Sequence, residues 1–309
     1  MRGLGRIRAI AQKVQTANSE RRKLRWQRQV NPTGQTMPVF LVGNGRSGTS
    51  MLVYHLTRSW HIDLYNEDNP AAFDKWFLRD FEVIDGLLEE SCAPIALFKP
   101  IKDTYRIRTI QARYPHSKVL FAFRHFDDVI NSSRKRFYID FGRKVGKTID
   151  EITPPVDRWM ADEFAEYADA LPPESTRQFI RSLWRDDLNL ESKIALHWLF
   201  VNRLFFDLGV DADTVTSASS VQAVLPICYE SLVSEPKATF RSVCHFLEIP
   251  FTDKMVADVF ATSIGKKDAP ALDPAIRAAC EDLYARLCAV AGVDLASQQF
   301  SSLAVQPES

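Results

Sequence analysis

The sequence predicts an α/β fold with a central parallel sheet flanked by helices. Its 309 residues are 46% hydrophobic and 25% charged, which is typical of a soluble domain with a sizeable core and excludes disordered, collagen-like and disulfide-scaffold chains. Short runs of consecutive apolar residues alternate with stretches of helical periodicity. Strands that are apolar at every position are typical of a parallel sheet covered on both faces.

The predicted elements alternate along the chain. Strands are predicted at residues 39–42, 95–98, 119–123 and 224–228. Helices are predicted at residues 49–60, 104–113, 127–137, 193–208, 237–247 and 274–291. Residues 142–209 show no strand pattern, and two Pro-Pro pairs separate their helical stretches. We therefore expect a helical lobe over one end of the sheet, where such folds place a substrate pocket.

The N-terminal segment differs from the rest of the chain in charge. Residues 1–29 hold nine basic residues and one acidic residue, although basic and acidic residues are equal at 39 each in the whole chain. The sequence NPTG at residues 31–34 then ends any helix. We therefore divide the chain into a basic arm and linker at residues 1–35 and an α/β domain at residues 36–300, with its helical lobe at about 142–209.

Two interpretations of the basic arm are open. Its cations suit a peripheral contact with an anionic surface such as lipid head groups. Its thin apolar stripe favours a solvated helix packed on the acidic body. No apolar run reaches the roughly 18 residues that span a membrane, and the N-terminus lacks the apolar stretch of a signal peptide.

The cysteines predict neither a zinc site nor a disulfide framework. They are odd in number, widely spaced and free of any CxxC pair. They are Cys92, Cys228, Cys244, Cys280 and Cys288. We therefore expect a reducing, cytoplasmic setting.

A glycine-rich loop lies between the first strand and the first helix. Residues 43–50 read GNGRSGTS, which almost matches the phosphate-binding pattern GxxxxGK[ST], whose N–H groups surround an anion at a helix N-terminus. Thr49 stands where a nucleotide-binding lysine belongs, and the cation is Arg46 instead. The strand at 119–123 ends in Arg124, where a nucleoside triphosphatase needs a carboxylate for Mg²⁺. We therefore expect a ligand that is rich in phosphate or sulfate and needs no metal.

Three motifs resemble those of the sulfotransferases that use PAPS (3′-phosphoadenylyl sulfate). The loop GRSGTSML at residues 45–52 is similar to the family's 5′-phosphosulfate loop, in the Arg-Ser-Gly-Thr form of the bacterial and Golgi-type branches. Arg124 at a strand end, with Ser132 eight residues later, is similar to the family's 3′-phosphate element. The stretch CYESLVSEP at residues 228–236 is similar to the family's Y-E-D-L-x-x-[DN]-P. The resemblance covers about residues 38–290.

The resemblance implies that PAPS is bound by the glycine loop and by the ends of later strands. The implied donor-binding residues are Gly45, Arg46, Ser47, Gly48, Thr49, Ser50, Arg124, Ser132, Tyr229 and Lys266. Arg124 and Ser132 would hold the 3′-phosphate, and Tyr229 would lie near the adenine. Structural alternatives are an ion pair between Arg124 and Asp127, an ordinary helix position for Ser132 and a core position for Tyr229. Lys266 lies in a late basic segment that lacks the family's R-K-G form.

The resemblance also implies the catalytic residues Glu67, Arg46 and Lys99. Arg46 and the loop amides would stabilise charge on the leaving 5′-phosphate. Lys99, at the end of the second predicted strand, either adds a cation there or reaches water. The Golgi-type branch uses a glutamate about 21 residues after the loop arginine, and this count leads to Glu67. The alternative for Glu67 is a loop carboxylate in solvent.

Cytosolic family members use a different base, a histidine two residues after the strand-ending lysine. Ile101 occupies that position here, so that mechanism is not available. His125 and His197 are further candidates for the base. A histidine at either position is more often a core or cap residue than a base.

The sequence thus predicts a sulfotransferase that moves a sulfuryl group from PAPS to a hydroxyl or amine of a small-molecule, glycan or lipid acceptor. We expect no nucleic-acid partner. The alternatives are a non-catalytic PAP- or anion-binding module and a P-loop kinase. The aromatic residues of the lobe suit a sugar, lipid or phenol acceptor, and equally a helical core. They are Trp159, Phe164, Tyr167, Phe179, Trp184, Trp198, Phe200, Phe205 and Phe206.

Overall fold

The computed structural model describes residues 18–140, 143, 144, 146, 172–209, 223–259 and 268–294. The described strands are β1 (Met37–Gly43), β2 (Ile62–Tyr65), β3 (Phe73–Asp74), β4 (Phe77–Leu78), β5 (Ile95–Phe98), β6 (Lys118–Phe123) and β7 (Val224–Cys228). Five of them form a sheet in the order β2-β5-β1-β6-β7, and every neighbouring pair is parallel. The predicted fold class is confirmed. β3 and β4 form a separate antiparallel hairpin.

Helices connect these strands. The described helices are α1 (residues 18–30), α2 (Thr49–Leu56), α3 (Phe81–Glu90), α4 (Ile107–Arg113), α5 (Phe126–Ser133), α6 (Glu174–Leu183), α7 (Leu190–Asp207), α8 (Tyr229–Ser234), α9 (Pro236–Phe246) and α10 (Pro274–Val290). A 3₁₀ helix at Ile101–Arg106 precedes α4, and a π-helix at Arg134–Asp140 continues α5. A further 3₁₀ turn spans Asp253–Met255. None of the described helices is long and apolar enough to cross a membrane.

The sheet is covered on both faces because its central strand is apolar at successive positions. In β1, Phe40 and Val42 belong to the core shared with α5, α7 and α10, whereas Val39 and Leu41 belong to the core shared with α2, α8 and α9. All four side chains are fully buried. Burial of one such side chain contributes roughly 1.5–3 kcal/mol, so the two cores together fix the loops at the carboxyl edge of the sheet.

The described part of the helical lobe consists of α6 and α7. Asn189 caps α7 by accepting a hydrogen bond from the Ser192 N–H at 2.9 Å. The indole N–H of the fully buried Trp198 donates to the Arg124 carbonyl at 3.0 Å, so α7 packs directly on the end of β6. Residues 172–209 contain helices and no strand. Most of residues 141–171, the rest of the predicted lobe, lie outside the described residues.

Part of the basic arm packs on the sheet. Lys23 of α1 forms an ion pair with Asp63 of β2 at 2.7 Å, and the buried Gln27 donates to the same carboxylate at 2.9 Å. Residues 18–30 therefore follow the interpretation that the thin apolar stripe favours, a helix packed on the body. Residues 1–17 lie outside the described residues, so the domain bounds and a membrane contact stay predictions.

Candidate functional site

The predicted site segments lie at one edge of the sheet. The glycine loop follows β1, Lys99 follows β5, Arg124 follows β6 and Tyr229 follows β7. β5 and β6 lie on opposite sides of β1, so the chain crosses over β1 between them. In open α/β sheets, ligands bind outside the carboxyl ends of the strands at such a reversal. The glycine loop therefore occupies the expected position for a ligand.

The conformation of the loop requires glycine at two positions. Gly43 and Gly48 have φ angles of 121° and 80°. A Cβ atom on Gly43 would lie 2.1 Å from the Ala122 carbonyl oxygen, and one on Gly48 would lie 2.2 Å from Cδ2 of Tyr229. The N–H of Gly43 donates to the buried Thr104 hydroxyl at 3.1 Å, which ties the loop to the 3₁₀ helix after β5. The loop is thus held closely on both sides.

The amino end of α2 provides groups that suit an anion. Gly48 is the N-cap residue and supplies no side-chain cap, so first-turn N–H groups keep their capacity for a ligand. The Ser47 residue is 1% exposed, and its hydroxyl has no hydrogen-bond partner within the described part of the chain. The helix dipole adds positive potential at this end. A buried hydroxyl beside N–H groups favours a ligand with several oxygens.

Three arginines are close together beside the loop. The Nε–H of Arg46 donates to the Ser132 hydroxyl at 2.9 Å, so the loop contacts α5. Burial, and then the positive charges of Arg136 and Arg124, lower the pKa of Arg46. Because like charges repel, an anion between these side chains would offset the repulsion. Sequence reasoning missed Arg136, which follows Ser132 by four residues in the π-helix, and this helical spacing is the signal that could have found it.

Arg124 is held by its neighbours. Its Nη2 donates to Asp128 at 2.8 Å, its Nε lies 4.0 Å from Oε1 of Glu230, and its guanidinium lies 4.2 Å from the centre of the Tyr229 ring. The residue is 7% exposed, and its ion-pair partner on α5 is Asp128 rather than Asp127. Tyr229 is also buried and lies between Arg124 and the glycine loop. Its role beside an adenine stays a prediction.

The predicted catalytic residues Lys99 and Glu67 are in contact. Nζ of Lys99 lies 3.4 Å from Oε2 of Glu67 and donates to the Ser50 hydroxyl at 3.1 Å. The Lys99 side chain is only 3% exposed, so the alternative in which it reaches water is wrong. The Glu67 side chain is 26% exposed, so it is anchored but keeps an open side. A carboxylate, an ammonium and a hydroxyl thus meet at the first turn of α2.

The two candidate histidines have different surroundings. Nδ1 of His125 accepts a hydrogen bond from the Asp127 N–H at 3.3 Å, and its ring stacks on Phe126 with ring centres 4.4 Å apart. His125 therefore caps α5, which is the structural alternative. His197 of α7 lines a cavity instead.

This cavity, of about 330 Å³, lies between the glycine loop and the helical lobe. Residues 43–45 of the loop, the 3₁₀ helix after β5, the π-helix and α7 contribute to its wall. Ile101, at the position where cytosolic sulfotransferases have their histidine, is part of that wall. Of the aromatic residues predicted for the lobe, Trp184 lines the cavity, whereas Trp198 and Phe205 are fully buried in the core.

A buried carboxylate lies beneath Arg124. Oε1 of Glu230 accepts a hydrogen bond from the His125 N–H at 3.0 Å, and Oε2 accepts from Cys228 Sγ at 3.2 Å and from the Tyr284 hydroxyl at 3.3 Å. Burial raises the pKa of Glu230 to about 8. Sequence reasoning gave this residue no role, although it belongs to the third motif.

One predicted residue cannot be placed. Lys266 lies outside the described residues, so its role stays a prediction. Within the described ranges, no three histidine, cysteine, aspartate or glutamate side chains are grouped to hold a metal ion. The five cysteines are free thiols.

No family model and no curated protein matches the chain. Among solved structures, it is similar to the sulfotransferase domain from the curacin biosynthetic pathway, with 13% identity and a TM-score of 0.46 over 81% of this chain and 98% of that domain. It is also similar to sulfotransferase STF9 from Mycobacterium avium, with 10% identity and a TM-score of 0.42 over 88% of this chain and 82% of that chain. A third similar structure is mouse sulfotransferase SULT7A1 complexed with PAP, with 14% identity and a TM-score of 0.37 over 77% of this chain and 68% of that chain.

Proposed function

We propose that this chain is a sulfotransferase that moves the sulfuryl group of PAPS to a hydroxyl or amine of an acceptor bound in the cavity. The observation that carries the proposal is the meeting of two cation-bearing segments at the amino end of α2. There the Nε–H of Arg46 donates a hydrogen bond to the Ser132 hydroxyl at 2.9 Å. The charge of the nearby Arg124 contributes to lowering the pKa of Arg46. PAPS is charged at both its 5′ and 3′ ends, which suits two cations on separate segments.

The residues present fit such a donor. The buried Ser47 hydroxyl has no partner among the described residues, and an anion would offset the crowding of Arg46, Arg124 and Arg136. When bound, PAPS supplies the sulfuryl group and a 5′-phosphate leaving group. Arg46 and the N–H groups of residues 47–50 would bind oxygens at this end. Fixed donors of this kind stabilise charge as it develops, because they need no reorganisation.

Arg124 and Ser132 suit the 3′-phosphate. A guanidinium presents a planar fork that can make two hydrogen bonds to one phosphate. Asp128 and the ring of Tyr229 already fix the orientation of Arg124. Little side-chain entropy would therefore be lost when the anion binds.

Glu67 is the proposed general base for the acceptor. A base must lie within hydrogen-bond reach of the proton that it removes, and the open side of Glu67 leaves room for an acceptor group. Lys99 orients the carboxylate by its 3.4 Å contact and joins it to the loop through Ser50. In this arrangement Lys99 also adds a further cation beside the amino end of α2.

The two alternatives make different demands. A P-loop kinase needs a lysine at position 49 and an acidic residue for Mg²⁺ near the end of a neighbouring strand, whereas the chain has Thr49 there and β6 is followed by Arg124. A non-catalytic module would bind PAP without transferring a group. The free thiols suit a reducing compartment, and we propose a cytoplasmic location.

Transfer of label from ³⁵S-PAPS to a panel of hydroxyl and amine acceptors, with EDTA present, tests the proposal. We expect the wild-type chain to label at least one acceptor and the Arg46→Ala variant to label it at least tenfold more slowly. Tight PAP binding with no labelled product from any acceptor would support the non-catalytic module. Label transfer from γ-³²P-ATP in Mg²⁺, with none from PAPS, would support the kinase.

A further inference from the structure

The cavity beside the glycine loop carries positive charge. Lys102 of the 3₁₀ helix after β5 and Lys193 in the first turn of α7 both line it. None of the described residues that line it is an aspartate or glutamate. The described wall of the cavity therefore includes two lysines and no carboxylate.

The carboxylates nearest in sequence to these lysines are engaged elsewhere. Asp103 pairs with Arg106 at 2.8 Å, and Glu191 pairs with Arg134 at 2.8 Å. Neither lysine forms an ion pair within the described residues. Their charges are thus available to a ligand.

Both ammonium groups lie over aromatic rings. Nζ of Lys102 is 4.8 Å from the centre of the Phe77 ring, and Nζ of Lys193 is 5.6 Å from that of Trp184. A ring displaces water from one side of a cation and holds the cation in position. An anionic group that binds there meets charges that are already oriented.

The rest of the wall is apolar. One face of α7 contributes Ile194, Val201 and Leu204 to the wall. These residues lie on the same side of the helix because they are seven and three positions apart. Tyr138 and Phe137 face them from the π-helix, and Phe137 is 49% exposed. These side chains give the cavity an apolar wall in addition to its two lysines.

We propose that the acceptor is a small hydroxylated molecule with a ring-bearing apolar body and an anionic group, and that Lys102 and Lys193 bind the anionic group. This inference rests on the proposed function, because it identifies the bound molecule as the acceptor. The binding preference itself does not require sulfuryl transfer. The volume of about 330 Å³ is at the lower end of the range for small-molecule sites.

Two probes of nearly equal shape test the proposal: 3-(4-hydroxyphenyl)propionate and the corresponding uncharged amide. Calorimetry at pH 8, where an ordinary histidine is neutral, should show that the acid binds roughly tenfold or more tightly than the amide. The double variant Lys102→Met/Lys193→Met keeps the apolar stems and should bind the two probes within about threefold of each other. The matched control is Lys237→Met, which removes a lysine of α9 that pairs with Asp253. This variant should keep the preference.

A measurement without a variant gives the same answer. Raising NaCl from 50 to 500 mM should weaken the acid and leave the amide unchanged, because salt screens only the charged probe. Equal binding of acid and amide, no binding of either, or a preference that survives the double variant would overturn the inference. So would weaker PAP binding in the double variant, since the lysines would then belong to the donor site. If PAP does not bind the wild-type chain, the proposed function fails, and the acid-to-amide ratio still decides this inference.

Discussion

Lys99 and Glu67 follow two neighbouring parallel strands, β5 and β2, and their side chains meet at 3.4 Å. The sheet produces this contact: Tyr65 pairs with Phe98, and the Lys99 N–H donates to the Tyr65 carbonyl at 3.1 Å. Two side chains that are 32 positions apart in the sequence are thereby fixed beside the first turn of α2. The predictions below test this arrangement and the anion site next to it.

The first prediction concerns the general base. Glu67→Gln keeps the shape of the side chain but cannot accept the proton, so turnover should fall by about 10²- to 10⁴-fold while PAP affinity changes little. Single-turnover kinetics with ³⁵S-PAPS measures this. Asp68→Asn is the control, because Asp68 accepts from Asn66 at 2.8 Å and should affect turnover much less. If both variants keep wild-type turnover, the carboxylate mechanism is wrong and His197 is the next residue to test.

The second prediction concerns the 3′-phosphate. Arg124→Ala should weaken PAP binding by roughly 2 to 4 kcal/mol and leave the affinity for adenosine 5′-phosphate nearly unchanged. Arg124→Lys should restore only part of the loss, since a point charge cannot make two parallel hydrogen bonds. Calorimetry with both nucleotides checks this. A variant that still discriminates between them as the wild type does would show that the 3′-phosphate binds elsewhere.

The third prediction concerns the packing of the loop. Gly48→Ala would place a Cβ atom 2.2 Å from the Tyr229 ring at a φ of 80°, so it should destabilise the fold by roughly 2 kcal/mol or more. Urea unfolding measures the change. Gly86→Ala in α3 is the control, because a Cβ atom there meets nothing within 4 Å and alanine favours a helix. Equal stability of the two variants would contradict the described loop.

The fourth prediction concerns pH. Burial raises the pKa of Glu230 from 4.5 to about 8, so between these values the folded chain keeps a proton that the unfolded chain releases. The contribution of Glu230 to the free energy of unfolding should therefore fall as pH rises through this window. Glu230→Gln cannot titrate and should show a smaller fall, whereas Glu89→Gln, exposed on α3, should behave as the wild type. Urea unfolding at several pH values would reveal parallel curves for all three proteins if this assignment is wrong.

The sequence was sufficient to predict the sheet and most helices because these segments are buried on a regular period. β5 and β7 begin and end as predicted, at residues 95–98 and 224–228. β2 was missed because it is an edge strand whose later residues are only half-buried, so it lacks a continuous apolar run. The predicted helix at 49–60 ends at Leu56, since Ser59 then bonds locally to the N–H and ring of His61.

The candidate site was predictable where a motif names a residue, and less so where tertiary packing decides. The positions of Arg46 in the glycine loop and of Arg124 and Lys99 at strand ends follow from local sequence, and the structure brings their segments together. The stacking of Arg124 on Tyr229 and the charges of Lys102 and Lys193 in the cavity depend on contacts between distant elements. No local pattern carries that information, so sequence reasoning could not find them.

The central claim is that the site binds a PAPS-type nucleotide without a metal, and thermal unfolding in EDTA tests it most directly. PAP at 100 times its dissociation constant should add about 2.7 kcal/mol to the free energy of unfolding and raise Tm, with or without EDTA. ATP should give a smaller shift, because it lacks the 3′-phosphate that Arg124 is proposed to hold. A chain that responds only to Mg-ATP, and not to PAP, would contradict the account.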